Sequence, residues 1–566
     1  MEYLIFWGAM GLIVLFLAGQ GVLADRREKK RFERTLYESY GKRPDKEYKV
    51  ERFVRIPGYY EHHREPGQID DITWDDLSMD QVFMRLNYTI SSSGEEVLYY
   101  MLRTPTRSRE ELEYFDNVVT YFMEHPDRRV AFQKLMRSLG STGKFSLYDY
   151  LEYLHTLGNR SNARDTIVNL LYIPAILLLF IRLPVGLAAI VVLMVYNIVT
   201  YMGIKREIEP YITSLAYIAR LLATAQETAA LKIPVCEREN QLLLQGKKAL
   251  NKSQRGSFWV FSKAGGTTGG SPLDILLDYV RMAFHVDLIF FNRMLREIGI
   301  HMEEIDRLIT TLGYLESAVS IAMYRASLDT EGLAWCRPQL REAGDVLSAE
   351  QLYHPLIDHP VKNSISADGG VLLTGSNASG KSTFLKTVAL GALMAQTLHM
   401  ALAERYCAPL YRIYSSMSLR DDLESGESYY IVEIKSLKRI LDARKEDSPR
   451  PVLCFVDEVL RGTNTVERIA AATQILVSLT GEGIQCFAAT HDIELTELLS
   501  GLYRNYHFEE EIRDGDILFN YTLREGRANS RNAIRLLEIM GYDQTIIQKA
   551  QRQAEDFLQK GIWILS

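Results

Sequence analysis

The sequence predicts two kinds of structure: a helical region interrupted by long apolar segments, and an α/β domain toward the C-terminus. Three observations predict them. Apolar residues recur at helical spacing from about Asp75 to Leu157. Two long uncharged runs then follow between Thr166 and Ile204, and a strand, glycine-loop and helix pattern occupies residues 369–385. The 566 residues exceed one compact core, so two or three domains are expected.

Composition narrows the function classes. The chain is 47% apolar and 24% charged, which is ordinary for a globular protein, and its net charge of −7 disfavours a dedicated nucleic-acid binder. The cysteines are scattered, without a CxxC pair or a His/Cys cluster at metal spacing, so no zinc site and no disulfide framework is expected. An odd, dispersed set fits a reducing compartment. The five are Cys236, Cys336, Cys407, Cys454 and Cys486.

The first 24 residues predict a transmembrane anchor. Tyr3 to Ala24 carries no charge, and the basic run DRREKKR begins directly at Asp25. Positive charge after the apolar run places the N-terminus outside and the remaining chain in the cytoplasm. Two alternatives stay open: a signal cleaved after the small residues near Ala24, and a buried soluble helix. Residues 25–74 are expected to form a charged juxtamembrane segment.

Residues 166–204 predict a transmembrane helical hairpin. Thr166 to Ile181 and Leu183 to Ile204 are uncharged and would reach about 24 Å and about 33 Å as helices, against a hydrocarbon core of about 30 Å. Pro184 suits the start of a new helix, which leaves Arg182 at the far membrane face. A buried soluble hairpin is the alternative, and Asn169 and Asn197 need polar partners in either structure. Together, the anchor and the hairpin predict a multi-pass membrane protein.

The strongest chemical motif is a phosphate-binding loop. The apolar strand Val371 to Leu373 enters GSNASGKS, which satisfies the spacing Gly, four residues, Gly-Lys-Ser. The two glycines allow a tight turn whose amides point at phosphates, and Lys381 adds a charge near the outer phosphates. Ser382 would bind Mg²⁺, and the helix that follows adds its positive end. The predicted ATP-binding residues are Gly375, Ser376, Asn377, Ala378, Ser379, Gly380, Lys381, Ser382 and Thr383.

Two later strands predict the rest of a nucleotide hydrolase site. Val452 to Val456 is an apolar strand followed by Asp457, which suits Mg²⁺ binding, and Glu458, which suits activation of the attacking water. Another strand, Cys486 to Thr490, ends at His491, which can bind or sense the terminal phosphate. The expected cofactors are ATP and Mg²⁺. The predicted catalytic residues are Lys381, Glu458 and His491, and the predicted metal ligands are Ser382 and Asp457.

These motifs resemble those of the MutS family of DNA mismatch repair ATPases, a branch of the ABC-type ATPases. TGSNASGKST, FVDEVLRGTNTVER and FAATHDIELTEL carry the resemblance, with Asn377 and Arg461-Gly462-Thr463 at family positions. MRLNYTISSSGEEVLYYMLRTP resembles the start of the family's helical core, and REGRANSRNAIRLLEIMGYDQTIIQKA resembles its C-terminal dimerisation segment. Together they cover Asp75 to about Lys560, apart from the hairpin.

The resemblance implies a head-to-tail homodimer in which each ATP is closed by the partner's Ser428, Asn464 and Thr465. It also implies DNA as a partner. The predicted organisation is a transmembrane anchor at 1–24, a juxtamembrane segment at 25–74, a MutS-like helical core at 75–165, a transmembrane hairpin at 166–204, a second core and lever part at 205–340, a MutS-like ATPase domain at 341–528 and a helical dimerisation segment at 529–566.

The departures from the family pattern leave two functions open. The mismatch-reading domain of full members, with its Phe-x-Glu wedge, has no counterpart here. Phe508-Glu509-Glu510 has that spelling but lies on a predicted β-hairpin turning at Asp514-Gly515-Asp516. The apolar hairpin interrupts the core where the family's levers lead to the DNA-clamping tip. The ATP cycle is therefore expected to act on DNA, or alternatively on a membrane protein or lipid. A non-catalytic scaffold is disfavoured, because the four site residues Lys381, Asp457, Glu458 and His491 are all present.

Overall fold

A computed structural model describes the chain except residues 1–23, 25, 49, 106, 144–145, 147, 150–159, 251–259, 261–271, 342–343, 345, 377–378, 418–428, 462–463, 514–515, 528–533, 535–536, 539, 561–562 and 564–566. Several predicted features lie outside the described residues. They are the anchor apart from Ala24, the site positions Asn377, Ala378 and Ser428, and the family positions Gly462 and Thr463.

The chain divides into two compact units. We call residues 1–64, 86–100 and 116–330 the helical unit, and residues 65–85, 101–115 and 331–566 the α/β unit. The fold is therefore mixed α/β with a largely helical N-terminal part, which confirms the coarse fold class that the sequence predicts.

The helices before residue 332 are α1 Val50–Arg55, α2 Gly58–His62, α3 Asp71–Asp76, α4 Met79–Leu86, α5 Ser92–Arg103, α6 Arg109–Glu124, α7 Pro126–Leu139, α8 Ala163–Ile181, α9 Leu183–Ala230, α10 Glu237–Ala249, α11 Pro272–Phe284, α12 Val286–Ile300 and α13 Met302–Glu331. Residues 26–38 are also helical. The later elements are β1 Gln339–Arg341, β2 Leu347–Leu352, β3 Asn363–Ala367, β4 Gly370–Thr374, α14 Lys381–Leu398, β5 Arg405–Pro409, β6 Arg412–Ser416, α15 Tyr429–Arg444, β7 Val452–Asp457, α16 Thr465–Ser478, β8 Ile484–Ala489, α17 Ile493–Leu498, β9 Tyr503–Arg513, β10 Asp516–Glu525 and α18 Gln544–Lys560.

Helix α13 is the centre of the helical unit. Most of its side chains from Ile305 to Leu328 are buried. Glu316 accepts hydrogen bonds from the amides of Ile90, at 2.5 Å, and Ser91, at 3.1 Å. These amides immediately precede α5, so Glu316 satisfies donors at a helix N-terminus that would otherwise be buried without partners.

Helices α8 and α9 carry the two uncharged runs and meet at Arg182. Their apolar windows have mean hydropathies of 1.7 and 2.2, yet only 17% and 11% of the residues in these windows are buried. Within the described residues, these are the two helices long and apolar enough to cross a bilayer. Gly186 of α9 lies so close to the α8 backbone that a Cβ there would stand 2.5 Å from the nitrogen of Leu179. The two helices therefore pack side by side.

The α/β unit contains a six-stranded sheet of order β10-β9-β4-β8-β7-β6. All neighbours are parallel except the β9–β10 pair. Strands β4 and β8 are buried along their whole length, as expected for parallel strands covered on both faces. A second sheet has the order β1-β5-β2-β3. The carboxyl ends of β4, β7 and β8 meet at one edge of the first sheet.

Helix α3 covers the free edge of β6. Asp76 Oδ2 accepts hydrogen bonds from Ser415 Oγ at 2.6 Å and from the Met417 amide at 2.9 Å. Thr73 Oγ1 accepts from the Ser415 amide at 3.1 Å. These side chains replace the missing neighbour strand and satisfy the buried edge donors. The periodicity of the sequence gives no signal for this contact.

Asp76→Ala should destabilise the α/β unit by about 2–4 kcal/mol, because the Ser415 hydroxyl and the Met417 amide would stay buried without an acceptor. Urea unfolding of the full chain in detergent, followed by tryptophan fluorescence, measures this; Trp74 is buried in the same helix. Asp75→Ala is the matched control, since Asp75 is exposed. Equal stability of the two variants would contradict the edge-covering role.

Candidate nucleotide site

Two positions of the loop after β4 require glycine, because of their backbone conformation or the space around them. Gly375 has φ of 140°, and a Cβ there would stand 2.8 Å from the Phe508 carbonyl oxygen. Gly380 has φ of 106° and forms the N-cap of α14. Both values lie in the region that only glycine adopts easily. The loop thus ends at the positive end of an eighteen-residue helix, which favours an anion.

Lys381 is held inside the loop. Its side chain is buried, with the residue 4% exposed, and Nζ donates to the carbonyl oxygens of Gly375 at 2.9 Å and Ser376 at 2.8 Å. Burial lowers the Lys381 pKa, while the nearby carboxylates of Asp457, Glu458 and Glu510 oppose this shift. Because Nζ is bonded to these two carbonyl oxygens, the ammonium group lies within the loop.

Ser382 and Asp457 form the predicted metal pair. The Ser382 hydroxyl donates to Asp457 Oδ2 at 2.5 Å. Asp457 Oδ1 is buried and has no hydrogen-bond donor among the described residues. Burial raises the Asp457 pKa, with the Ser382 hydroxyl opposing that shift. One hydroxyl and one carboxylate with a spare oxygen fit the oxygen ligands that Mg²⁺ takes beside phosphates.

Glu458 lies between two cationic or potentially cationic side chains. Its Oε1 is 2.5 Å from His491 Nε2, and its Oε2 is 2.7 Å from Arg461 Nε. The hydrogen bond with His491 lowers the Glu458 pKa. The Glu458 amide donates to the Ala489 carbonyl of β8 at 2.9 Å, which ties the residue to the strand that leads to His491. A carboxylate held ionised in this way can accept a proton from water.

A cavity of about 490 Å³ opens above the loop. Gly380, Lys381, Ser382 and Glu458 are among its lining residues. Its walls also carry apolar and aromatic side chains suited to a planar base: Ile357, Pro360, Val361, Phe508 and Tyr521. His354 also lines the cavity; burial lowers its pKa to about 4, so its imidazole is neutral at physiological pH. The cavity therefore combines groups of the phosphate-binding loop with apolar and aromatic surface.

The β9–β10 hairpin supplies residues that sequence reasoning missed. The Ser376 hydroxyl donates to Glu510 on β9, and the Tyr521 ring on β10 lies 3.1 Å from where a Gly380 Cβ would stand. The sequence predicts this β-hairpin, and β9 and β10 pair antiparallel, with Glu510 opposite Phe519. Its placement beside the loop was not predicted, because β9 pairs with β4 only through the tertiary fold. The Phe508-Glu509-Glu510 motif does not indicate that the hairpin contacts the phosphate-binding loop.

Two of the three residues expected to reach a partner's ATP are described. Asn464 is the N-cap of α16 and accepts a hydrogen bond from the Val466 amide at 3.0 Å. Thr465 is the first residue of that helix, and both residues are exposed. Exposure leaves these two positions accessible to a second chain.

Comparisons with known proteins agree with the sequence resemblance. Residues 371–558 match the family model MutS domain V. The chain is 28% identical over 285 residues to DNA mismatch repair protein MutS 2 of Haloarcula marismortui, covering 45% of this chain and 29% of that protein. It is 30% identical over 281 residues to DNA mismatch repair protein MutS of Chloroflexus aurantiacus, covering 47% and 28%. For MutS of Thermus thermophilus the values are 32% over 203 residues, covering 35% and 24%. The chain spans about three tenths of the length of the curated relatives it matches.

Lys381→Ala should weaken ATP binding at least tenfold, about 1.4 kcal/mol or more, because it removes the buried charge of a residue that lines the cavity. Titration with a fluorescent ATP analogue measures the dissociation constant. Lys445→Ala is the control, since Lys445 is largely exposed and pairs with Asp442 at 2.8 Å. Equal affinities for the two variants would exclude Lys381 from phosphate binding.

Proposed function

For this MutS-family protein, we propose that the site at the ends of β4, β7 and β8 binds MgATP and hydrolyses it to ADP and phosphate. The observation that carries the proposal is that Lys381, Ser382 and Glu458 line one cavity. Asp457 is hydrogen-bonded to Ser382, and His491 is paired with Glu458. Relatives named DNA mismatch repair protein MutS support an ATPase of this type.

The reaction follows from the positions of the side chains. The loop amides and Lys381 bind the phosphates, and Glu458 accepts a proton from the attacking water. The water oxygen bonds to the γ-phosphorus while the bond from that phosphorus to the β–γ bridging oxygen breaks, so ADP leaves. His491, paired with Glu458, orients the carboxylate. Mg²⁺, held by Ser382 and Asp457, would offset charge on the phosphates.

A head-to-tail homodimer would complete the site. Ser428, Asn464 and Thr465 of one chain would then contact the ATP of the other, as the resemblance implies. A second cavity of about 700 Å³ supports this proposal, because it reaches Ser382 and Asp457 and is lined by Lys386 and Arg461. Space and positive charge on that side suit an added contact to the terminal phosphate.

The first candidate for the work of the ATP cycle is a process on DNA. The relatives' names are the support for it, together with the MutS domain V match at residues 371–558.

The second candidate is work in a membrane, and the surfaces of α8 and α9 favour it. Phe180 and Ile181 are 85% and 74% exposed, and exposed apolar residues extend from Ile167 on α8 to Met202 on α9. From Leu183 to Met202, the band is about 30 Å long, which matches a hydrocarbon core. Contiguous exposed apolar surface of this size indicates a lipid or protein partner. We assign it to the lipid bilayer.

Three polar side chains within the apolar runs bond to α11 instead of facing that surface. Asn197 Nδ2 donates to the Ala283 carbonyl at 2.6 Å, and Asn169 Nδ2 donates to the Phe284 carbonyl at 2.7 Å. Tyr172 also donates to Ala283, at 3.3 Å. These are C-terminal carbonyls of α11, which lack partners within their own helix. These two amides and the Tyr172 hydroxyl are therefore satisfied within the protein, as a bilayer requires.

Charged residues lie at the base of the helix pair and are mostly paired. Lys205 Nζ binds Asp287 Oδ2 at 2.8 Å, and Arg160 pairs with Glu207. Asp165 is 3.1 Å from His285 Nδ1. Charge at this end and Arg182 at the opposite end bound the apolar band, which supports a hairpin with both feet on one side of the membrane.

The start of the described chain is compatible with an anchor in the same bilayer. Helix 26–38 runs antiparallel to α7, and α7 runs antiparallel to α9, so residue 26 points toward the hairpin end of α9. The contacts that give these directions are Glu28–Arg137 at 2.8 Å, Tyr37–Asp127 at 2.7 Å, Arg220–Leu139 at 2.9 Å and Arg128–Leu231 at 3.0 Å.

Glu458→Gln should reduce ATP turnover at least a hundredfold while ATP still binds, because the amide cannot accept the water's proton. Phosphate release and nucleotide binding by the purified full chain measure both quantities. Glu467→Gln, an exposed change on α16, is the control. Unchanged turnover in Glu458→Gln would show that another group is the base.

The same phosphate assay separates the two candidates when duplex DNA or liposomes are added. Stimulation by DNA that persists after deletion of residues 166–204 would support the DNA process and contradict the membrane one. Stimulation by liposomes that depends on those residues would do the opposite.

Val192→Cys should react with a water-soluble maleimide at least tenfold more slowly in proteoliposomes than Glu227→Cys, because lipid covers the apolar band. Val192 is 67% exposed in the protein, and Glu227 lies on the exposed face of the distal part of α9. Labelling of the unsubstituted chain is subtracted from both. Equal rates would place the hairpin in water.

A further inference from the structure

The turn that follows β7 has a strained backbone. Glu458 has φ of 56° and Leu460 has φ of 58°, so two non-glycine residues lie in the left-handed region within three positions. Each such conformation costs about 1 kcal/mol or more and persists only where neighbours hold it. The turn carries the proposed catalytic carboxylate, so whatever holds it also determines where that carboxylate lies.

One side of the turn is held by the sheet. The Glu458 amide donates to the Ala489 carbonyl of β8 at 2.9 Å, which fixes the start of the turn. The side chains of Val459 and Leu460 are buried in the core beneath α15 and β7. Packing of this kind fixes the depth of the turn but gives no hydrogen bond to its later amides.

The other side is held by Glu433, on the second turn of α15. Its Oε1 accepts a hydrogen bond from the amide of Leu460, one of the two residues in the left-handed conformation. Glu433 is only 3% exposed. Burial raises the pKa of its carboxyl group, and the amides of Leu460 and Arg461 oppose that shift, so the group faces the turn's backbone. Carboxyl groups are rarely buried to this extent unless they have a partner, and here the partner is the backbone of the turn.

The far end of the turn returns to the site. Arg461 Nε binds Glu458 Oε2 at 2.7 Å, while His491 binds the other carboxylate oxygen at 2.5 Å. The path of residues 459–461 therefore sets the position of one of the two partners that orient the Glu458 carboxylate. A change in that path would rotate the carboxylate relative to Lys381 and Ser382 in the cavity.

We propose that Glu433 is a positioning residue that holds residues 458–461 in their left-handed path and thereby aims Glu458 at the attacking water. This inference rests on the proposed ATP hydrolysis at the same site. Glu433 lines neither cavity, so its effect on turnover passes through the turn.

Three variants of the full chain test the proposal. Glu433→Leu removes the acceptor and should lower kcat at least tenfold, with KM for ATP changed less than threefold, because the loop that binds phosphates is left intact. Glu433→Gln keeps an oxygen acceptor for the Leu460 amide and should retain at least a third of kcat. Ser436→Ala is the matched control, a buried polar residue on the same helix whose hydroxyl has no partner among the described residues. It should behave as the unsubstituted chain.

The outcomes separate this inference from the proposed function. If the unsubstituted chain does not hydrolyse ATP, the proposed function itself is wrong. If it does and Glu433→Leu keeps more than half of kcat, only the positioning role is overturned. Loss of turnover in Glu433→Gln equal to that in Glu433→Leu would also overturn it, since a missing charge would then be responsible. Thermal melting and ATP-analogue binding accompany each assay, and Glu433→Gln decides the matter if Glu433→Leu does not fold.

Discussion

The parallel pairing of β4, β8 and β7 is the constraint on which the nucleotide site depends. Parallel neighbours bring their carboxyl ends to the same edge, so the loop after β4, the acids after β7 and the histidine after β8 meet there. None of these groups is close to another in sequence. The hydrogen bond between Ser382 and Asp457 joins residues 75 positions apart, and it exists only because the strands pair in this order.

The pairing also explains which parts of the site can be predicted from sequence. Loop residues such as Gly375 and Lys381 belong to a local motif whose spacing states the chemistry. Asp457 and His491 follow apolar runs, and strand ends are visible in a sequence. Glu510, Glu433 and Asp76 are different, because each acts by bonding to one distant segment of the chain. A lone carboxylate on a helix or strand looks like a solvated residue until the tertiary fold is known.

The apolar helix pair shows the same limit in another form. Length and composition favour a bilayer hairpin for α8 and α9 but leave a buried core as an alternative. Two properties distinguish these cases, and both require coordinates: the outward faces are apolar and exposed, and Asn169 and Asn197 turn inward to the carbonyls of α11. A soluble core hairpin would show the reverse, with apolar side chains inside and amides near water.

Exposure of this band to water would be costly. Burial of a large aliphatic side chain contributes roughly 1.5–3 kcal/mol, and α8 and α9 leave many such side chains uncovered, among them Leu177 and Val195. A single chain with that surface in water would associate or aggregate. A second copy could cover part of it, yet exposed apolar residues occur on both helices along a length that matches a bilayer. Charged groups lie at the end marked by Lys205. Lipid covers every exposed face of such a pair at once, whereas a protein partner covers one. The surface of the helices, more than their composition, therefore favours the bilayer.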